Sequence, residues 1–209
     1  MKDFDAKHRI TDIAVLEGLY GAPSQPAIVK EVDYIHPVYR EFIEASPFVV
    51  LSTSGESGLD SSPRGDRAGF VTVENDKTLL IPDRPGNNRF DSLRNILEDP
   101  RVALFFLIPG IGETLRINGR ATLSIDPNLV SRFVVNGKPP RSVIVIEVEA
   151  VFFQCSKAVV RADLWNPEKR LARTALPSTG TMLAEVSKGR VNAEDYDAAL
   201  PERVRTMLY

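Results

Sequence analysis

Between residues 48 and 154 the chain alternates short apolar runs with clusters of Gly, Pro, Asp and Asn, a spacing that predicts strands joined by tight turns. The candidate strands are FVVLSTS (48–54), GLDSSPRG (58–65), GFVTV (69–73), TLLIP (78–82), RVALFFLI (101–108), TLRINGRATLS (114–124) and SVIVIEVEAVFFQ (142–154). Seven such runs with helices inserted imply a mainly β fold, a β-barrel or sandwich with α additions. In the last run Ile144, Ile146, Val148, Ala150 and Phe152 recur at period two and are expected to face the core together. Residues 102–108 are apolar on both faces, so this strand should be covered twice, with a dimer partner as the second cover.

Helical spacing appears elsewhere. Residues 13–19 predict a helix, followed by a turn over 21–26 and an irregular connection; HPVYREFIEA (36–45) predicts another, with Pro37 near its start where a missing N–H costs least. The Asp-Pro pair at 126–127 opens a predicted helix over 126–135. Past residue 156 the β pattern gives way to a helical segment, KAVVRADLWNPEKR, then to a flexible Ser/Thr/Gly passage and a short helix near 193–200. The expected organisation is an N-terminal helical extension (1–35), a barrel domain (36–165) and a C-terminal arm (166–209).

The stretch TLLIPDRPGNNRFDSLRNILE (78–98) holds the best candidate chemistry. Pro82, Pro85 and Gly86 are expected to end a strand, since proline has no N–H for the ladder. Asn87 or Asn88 suits the cap of the following helix, with Asp91 in its first turn and Phe90, Leu93, Ile96 and Leu97 turned inward. A helix N-terminus beside Arg89 and Arg84 would hold a phosphate well. Taken alone, the stretch reads more simply as a capped helix with solvated arginines, because asparagine caps are common and phosphate sites are not.

Charge narrows the partners: 26 basic against 28 acidic residues leave no basic field for nucleic acid and no polybasic run for an anionic membrane. One cysteine, Cys155, excludes an intramolecular disulfide, and two histidines make no cluster at metal-ligand spacing. With a charged N-terminus and no apolar run of transmembrane length, the expectation is a soluble cytoplasmic protein whose partners are small molecules or proteins. Nucleophile elbow, Walker loop, His-Glu-x-x-His and Gly-x-Gly-x-x-Gly signatures are absent, so no catalytic residue is assigned. Cys155 follows an apolar strand and is expected to be a buried inert thiol, and the histidines surface or capping residues. In SSPRGD (61–66) two hydroxyls, Arg64 and a glycine could face an anion, or Arg64 could pair with Asp66. ETLRING (113–119) sets Thr114 and Arg116 on one strand face and Leu115 on the other.

Taken in order, GNNR with its helix, DPRVALFFLIPG and ETLRINGRA resemble the flavin-binding core of the pyridoxamine 5′-phosphate oxidase superfamily, the FMN-binding split barrel. The resemblance spans roughly residues 40–165 and extends, through SPRGD…PDRPGNNR…ETLR…KA…LW, to a branch of probable FMN-dependent enzymes. It implies an FMN phosphate held by Asn87, Asn88 and Arg89 with Arg64 approaching from the next strand. It also implies Thr114, Leu115 and Arg116 near the isoalloxazine, with Thr114 in the place of a glutamine. It further implies a homodimer with flavins at the interface, where Lys157, Arg161 and Trp165 complete the site from the partner. Asn87 and Arg89 replace the family's serine and lysine but keep donors and charge. The Arg-x-His run of the true oxidases is missing from the final ERVRTMLY, so the substrate is expected to be some other small molecule. The alternatives are a non-catalytic module holding FMN or haem as sensor or carrier, and a deazaflavin-dependent reductase.

Overall fold

The computed structural model describes residues 8–209, and the chain forms two compact units, Met1–Glu31 and Val32–Tyr209. The expected extension over 1–35 begins in residues 1–7, outside the described residues. In the first unit α1 (Ile13–Tyr20) starts at Asp12, whose carboxylate accepts from the Ala14 amide at 2.8 Å. Where an irregular connection was expected, Pro26 opens the short helix α2 (Gln25–Val29).

The second unit is built on one seven-stranded sheet whose ladders are all antiparallel. Its strands are β1 (Phe48–Gly55), β2 (Gly58–Gly65), β3 (Thr72–Asn75), β4 (Thr78–Asp83), β5 (Arg101–Leu107), β6 (Thr114–Ser124) and β7 (Ser142–Gln154), in the spatial order β2-β1-β5-β6-β7-β4-β3. The fold is mainly β with helical additions, the split-barrel class. Before the sheet lies α3 (Pro37–Ala45), with His36 Nδ1 accepting from the Val38 amide, so that histidine is a cap. Its Tyr39 and Ile43 are buried beside the inner-face residues Val49, Leu51, Leu104, Phe106, Leu115, Ile117, Ile144 and Ile146.

Several expectations need correction. β4 continues through Pro82 to Asp83, because β4 has by then outrun β3 and pairs with β7 alone, leaving one side free of a ladder. The Asp126 side chain does cap a helix, but α5 (Pro127–Ser131) is only five residues long. The helical segment after β7 comprises α6 (Lys157–Ala162) and a separate 3₁₀ turn at Pro167–Lys169. The Ser/Thr/Gly passage is ordered as α7 (Thr179–Val186), capped by Ser178 and packed on α8 (Ala193–Met207). Gly180 permits this approach: a Cβ there would lie 2.2 Å from the Ala193 carbonyl oxygen. Cys155 is exposed, since it lies one residue past the end of β7.

The β7 face is also not uninterrupted. Opposite Asn118 and Gly119 the register jumps from Ala150 to Val148, so Glu149 is an extra, bulged residue. The bulge reverses the inward phase: Ile144, Ile146, Val148 and then Val151 are buried, while Ala150 and Phe152 turn to the other face. There they join Val50, Ala103, Phe105 and Leu107 as a half-exposed apolar row. The double cover expected for β5 is thus supplied on one face only within this chain.

Candidate functional site

A cavity of about 470 Å³ opens where the ends of β2 and β4, the loop after β4, α4 (Asp91–Glu98) and the start of β7 converge. Its lining carries four arginines (Arg64, Arg84, Arg89, Arg141), three aspartates (Asp60, Asp83, Asp91), Asn87, Asn88 and the serines 62, 92 and 142. The arginines outnumber the acids, and the amides and hydroxyls add neutral donors.

Strand alternation supplies the floor. Asp60, Ser62 and Arg64 share one face of β2, aligned with the inward Thr53, Leu51 and Val49 of β1. From this row Arg64 reaches β4, where Nη1 donates to Asp83 Oδ1 at 2.5 Å, and α4, where Nη2 donates to Ser92 Oγ at 3.3 Å. Ser92 in turn donates to Asp60 at 2.6 Å and shares a 2.9 Å bond with Ser62. The alternative Arg64–Asp66 pair does not form. Asp66, one residue past the end of β2, instead takes Arg84 at 2.9 Å. Arg64 Nε is buried with no partner among the described residues, so this guanidinium still has a donor to satisfy.

The roof differs from expectation in detail. The residue before α4 is Phe90, in a left-handed conformation (φ 62°), and it makes no side-chain cap bond. Neither asparagine caps the helix: Asn87 Oδ1 accepts from the Arg89 amide at 3.1 Å, and Asn88, itself left-handed (φ 60°), accepts from Arg141 Nη1 at 2.9 Å. Arg89 pairs with Asp91 at 2.7 Å while staying 74 % exposed, and that hydrogen bond pushes its pKa up. The helix buries Ser92, Asn95 and Ile96 and leaves Phe90 and Leu97 exposed, since the sheet end beneath is polar. Asn95 donates to Thr53 Oγ1 at 3.1 Å.

Arg84 closes the rim. It donates to the Phe133 carbonyl at 2.9 Å, and its guanidinium lies 5.3 Å from the Tyr209 ring centroid. The Tyr209 hydroxyl donates to Asp66 at 2.6 Å, and Lys138 Nζ donates to the Tyr209 backbone oxygen. Burial pushes the Asp66 carboxyl up, but hydrogen bonds from Tyr209, the Arg67 amide and Arg84 outweigh it and leave its pKa below the usual value. Tyr209 is pushed up, first by its bond to Asp66 and then by burial.

Of the residues singled out from sequence, Arg64, Asn87, Asn88 and Arg89 meet in this cavity. Thr114 and Arg116 lie elsewhere: Arg116 aligns with Phe105 and Phe152 on the opposite sheet face, its guanidinium 4.2 Å from the Phe152 ring centroid and its Nε buried without a partner among the described residues. Leu115 is fully buried in the core. Lys157 and Arg161 sit exposed on α6, and Trp165 donates its ring N–H to the Ile111 carbonyl at 2.7 Å. Sequence reasoning missed Asp60, Asp83, Ser92 and Arg141. A signal existed for Ser92, which shares the spacing 92, 95, 96 with Asn95 and Ile96 on the buried stripe of α4.

The chain thus combines an antiparallel split-barrel architecture with an arginine-rich cavity beside a strand–loop–helix junction. The pyridoxamine 5′-phosphate oxidase family model matches residues 35–155, more than half of the chain, and the chain belongs to that family. Solved structures similar to it include HupZ of Group A Streptococcus (16 % identity, 56 % of this chain and 94 % of that one, TM-score 0.46). Others are a putative pyridoxamine 5′-phosphate oxidase of Lactobacillus delbrueckii (18 %, 58 % and 95 %, TM-score 0.46) and an F420 reductase (18 %, 55 % and 94 %, TM-score 0.39). No curated protein matches the sequence. Among the described residues no helix is long and apolar enough to cross a membrane, and no group of three or more His, Cys, Asp or Glu side chains could hold a metal ion.

Proposed function

We propose that this protein is a homodimeric FMN-dependent oxidoreductase of a small molecule, with the flavin phosphate seated in the β2–β4–α4 cavity. The observation that carries the reading is the donor set there: four arginines with amides and hydroxyls, and a buried Arg64 Nε still lacking a partner, inside the segment that matches the family. This donor set fits a phosphate monoester. Bound FMN would supply the electron transfer that no side chain of the site offers.

The chain's own residues would bind and orient. Asp83 and Ser92 hold the Arg64 fork fixed, so little ordering is left to be done when an anion arrives. Asn87 fixes the Arg89 amide and Asn88 engages Arg141, which shapes the loop around the ligand. Because Arg116 projects from the other sheet face, it and Thr114 would meet an isoalloxazine only across an interface between two subunits. The half-exposed row of Val50, Ala103, Phe105 and Leu107 supports a second copy on that face, and the partner's α6 region, with Lys157, Arg161 and Trp165, would close the site.

The test is the visible spectrum of the purified protein, followed by NADH or NADPH with an electron acceptor. Yellow protein with steady turnover is expected. A preparation that stays colourless after addition of FMN rejects the proposal, flavin that stays oxidised with every reductant makes the protein a binding module, and the mass of the extracted cofactor separates FMN from a deazaflavin.

A further inference from the structure

The four arginines of the cavity differ in how their charge is spent. Arg64 faces Asp83, Arg84 faces Asp66 and Arg89 faces Asp91, each within 2.9 Å. Arg141 has no carboxylate at ion-pair distance among the described residues. Its side-chain hydrogen bond goes to a neutral acceptor, Asn88 Oδ1, at 2.9 Å. A guanidinium has five N–H donors in a planar fork, so most of the Arg141 donors and its whole charge are left for a ligand.

We infer that Arg141, steered by Asn88, is the residue that takes the phosphate group of a phosphate monoester in this cavity, while Arg89 is a rim residue. The inference rests on reading the cavity as a phosphate seat and names the side chain that makes it one. The backbone around Arg141 is fixed at both ends: its amide donates to the Asp83 carbonyl at 3.1 Å, and the next residue, Ser142, pairs with Asp83 in the β4–β7 ladder. The Asp83 carboxylate is already committed to Arg64, so it does not draw Arg141 inward. Left-handed Asn88 brings its amide oxygen over from the opposite loop and holds one guanidinium nitrogen of Arg141, which lines the cavity. Arg89 has the opposite balance. Its charge is answered by Asp91 at 2.7 Å, and that pair blunts its pull on an anion.

Isothermal titration of the full-length protein and of R141A, R141K and R89A, with FMN and separately with inorganic phosphate, tests this. Arg141→Ala should weaken FMN at least tenfold and phosphate in parallel, Arg141→Lys should recover part of the loss, and Arg89→Ala should change either affinity less than threefold. Equal or greater loss in Arg89→Ala, or unchanged binding in Arg141→Ala, overturns the inference while leaving the flavin proposal standing. Binding of phosphate but not FMN by the unmodified protein rejects the flavin, and the phosphate titrations of the variants then decide the role of Arg141. Binding of neither rejects both. Arg141 is exposed, so its replacement should leave the melting temperature unchanged; if Arg141→Ala misfolds, the comparison of Arg141→Lys with Arg141→Gln decides.

Discussion

Arg64 and Arg116 belong to the same sheet, in neighbouring cross-strand rows, and each has a buried Nε without a partner among the described residues, yet they live in opposite surroundings. Arg64 faces inward beside the α4 end and is locked into a network of Asp83, Ser92, Asp60 and Ser62. Arg116 faces outward among Phe105, Phe152 and Val50, with an aromatic ring in place of a carboxylate. One-residue alternation along a strand decides between the two environments. An arginine with an acid partner is held within the network, whereas Arg116 has an aromatic ring and no carboxylate partner among the described residues.

The contrast can be broken by mutation. The largest effect belongs to Arg64→Met, which strands Asp83 in a partly buried site; unfolding free energy should fall by about 2 kcal/mol in urea titration, below the range for fully buried pairs because both groups keep some solvent. A change near zero would mean that the network contributes nothing. Tyr209→Phe removes the bond to Asp66 at the cavity rim and should cost about 1 kcal/mol. The sign of its pH dependence follows from both partners. Asp66 has a depressed pKa, so its contribution is present above about pH 4 and is lost as pH falls below that; Tyr209 has a raised pKa, so its contribution is present below about pH 10 and is lost as pH rises further. The difference in melting temperature between the unmodified protein and Tyr209→Phe should therefore be widest between those limits, and a difference independent of pH would contradict the Asp66–Tyr209 bond. The smallest effect is expected for Arg116→Met, within about 0.5 kcal/mol of the unmodified protein in the same urea experiment, since a charge without an acid partner gives way to an apolar chain on an apolar face. A loss as large as that of Arg64→Met would erase the distinction between the two faces.

The strands were legible because Gly, Pro, Asp and Asn mark their turns and apolar alternation marks their faces. The β7 bulge was not: nothing in VIVIEVEAVFFQ announces that Glu149 is an extra residue, and that one insertion carries Phe152 from the expected core to the side of Arg116. Gly119, opposite the bulge, is its structural counterpart, since a Cβ there would sit 2.2 Å from the Glu147 carbonyl oxygen. At the cavity, the loop GNNR was found but its bonding was not, because Asn88 serves Arg141, which lies 53 positions away in sequence. Asp83 and Ser142 meet through the β4–β7 ladder for the same reason. Local pattern reading sees caps and faces; it does not see pairings that only the sheet order β7-β4 creates.

The seating of a flavin phosphate in the β2–β4–α4 cavity is the proposal on which the rest depends. Quenching of flavin fluorescence, measured in parallel for FMN and for riboflavin, which lacks the phosphate, tests it most directly. Charge-assisted bonds to phosphate are each worth about 1.5–3 kcal/mol, so FMN should bind at least tenfold more tightly than riboflavin. Equal affinities for the two flavins would contradict the claim.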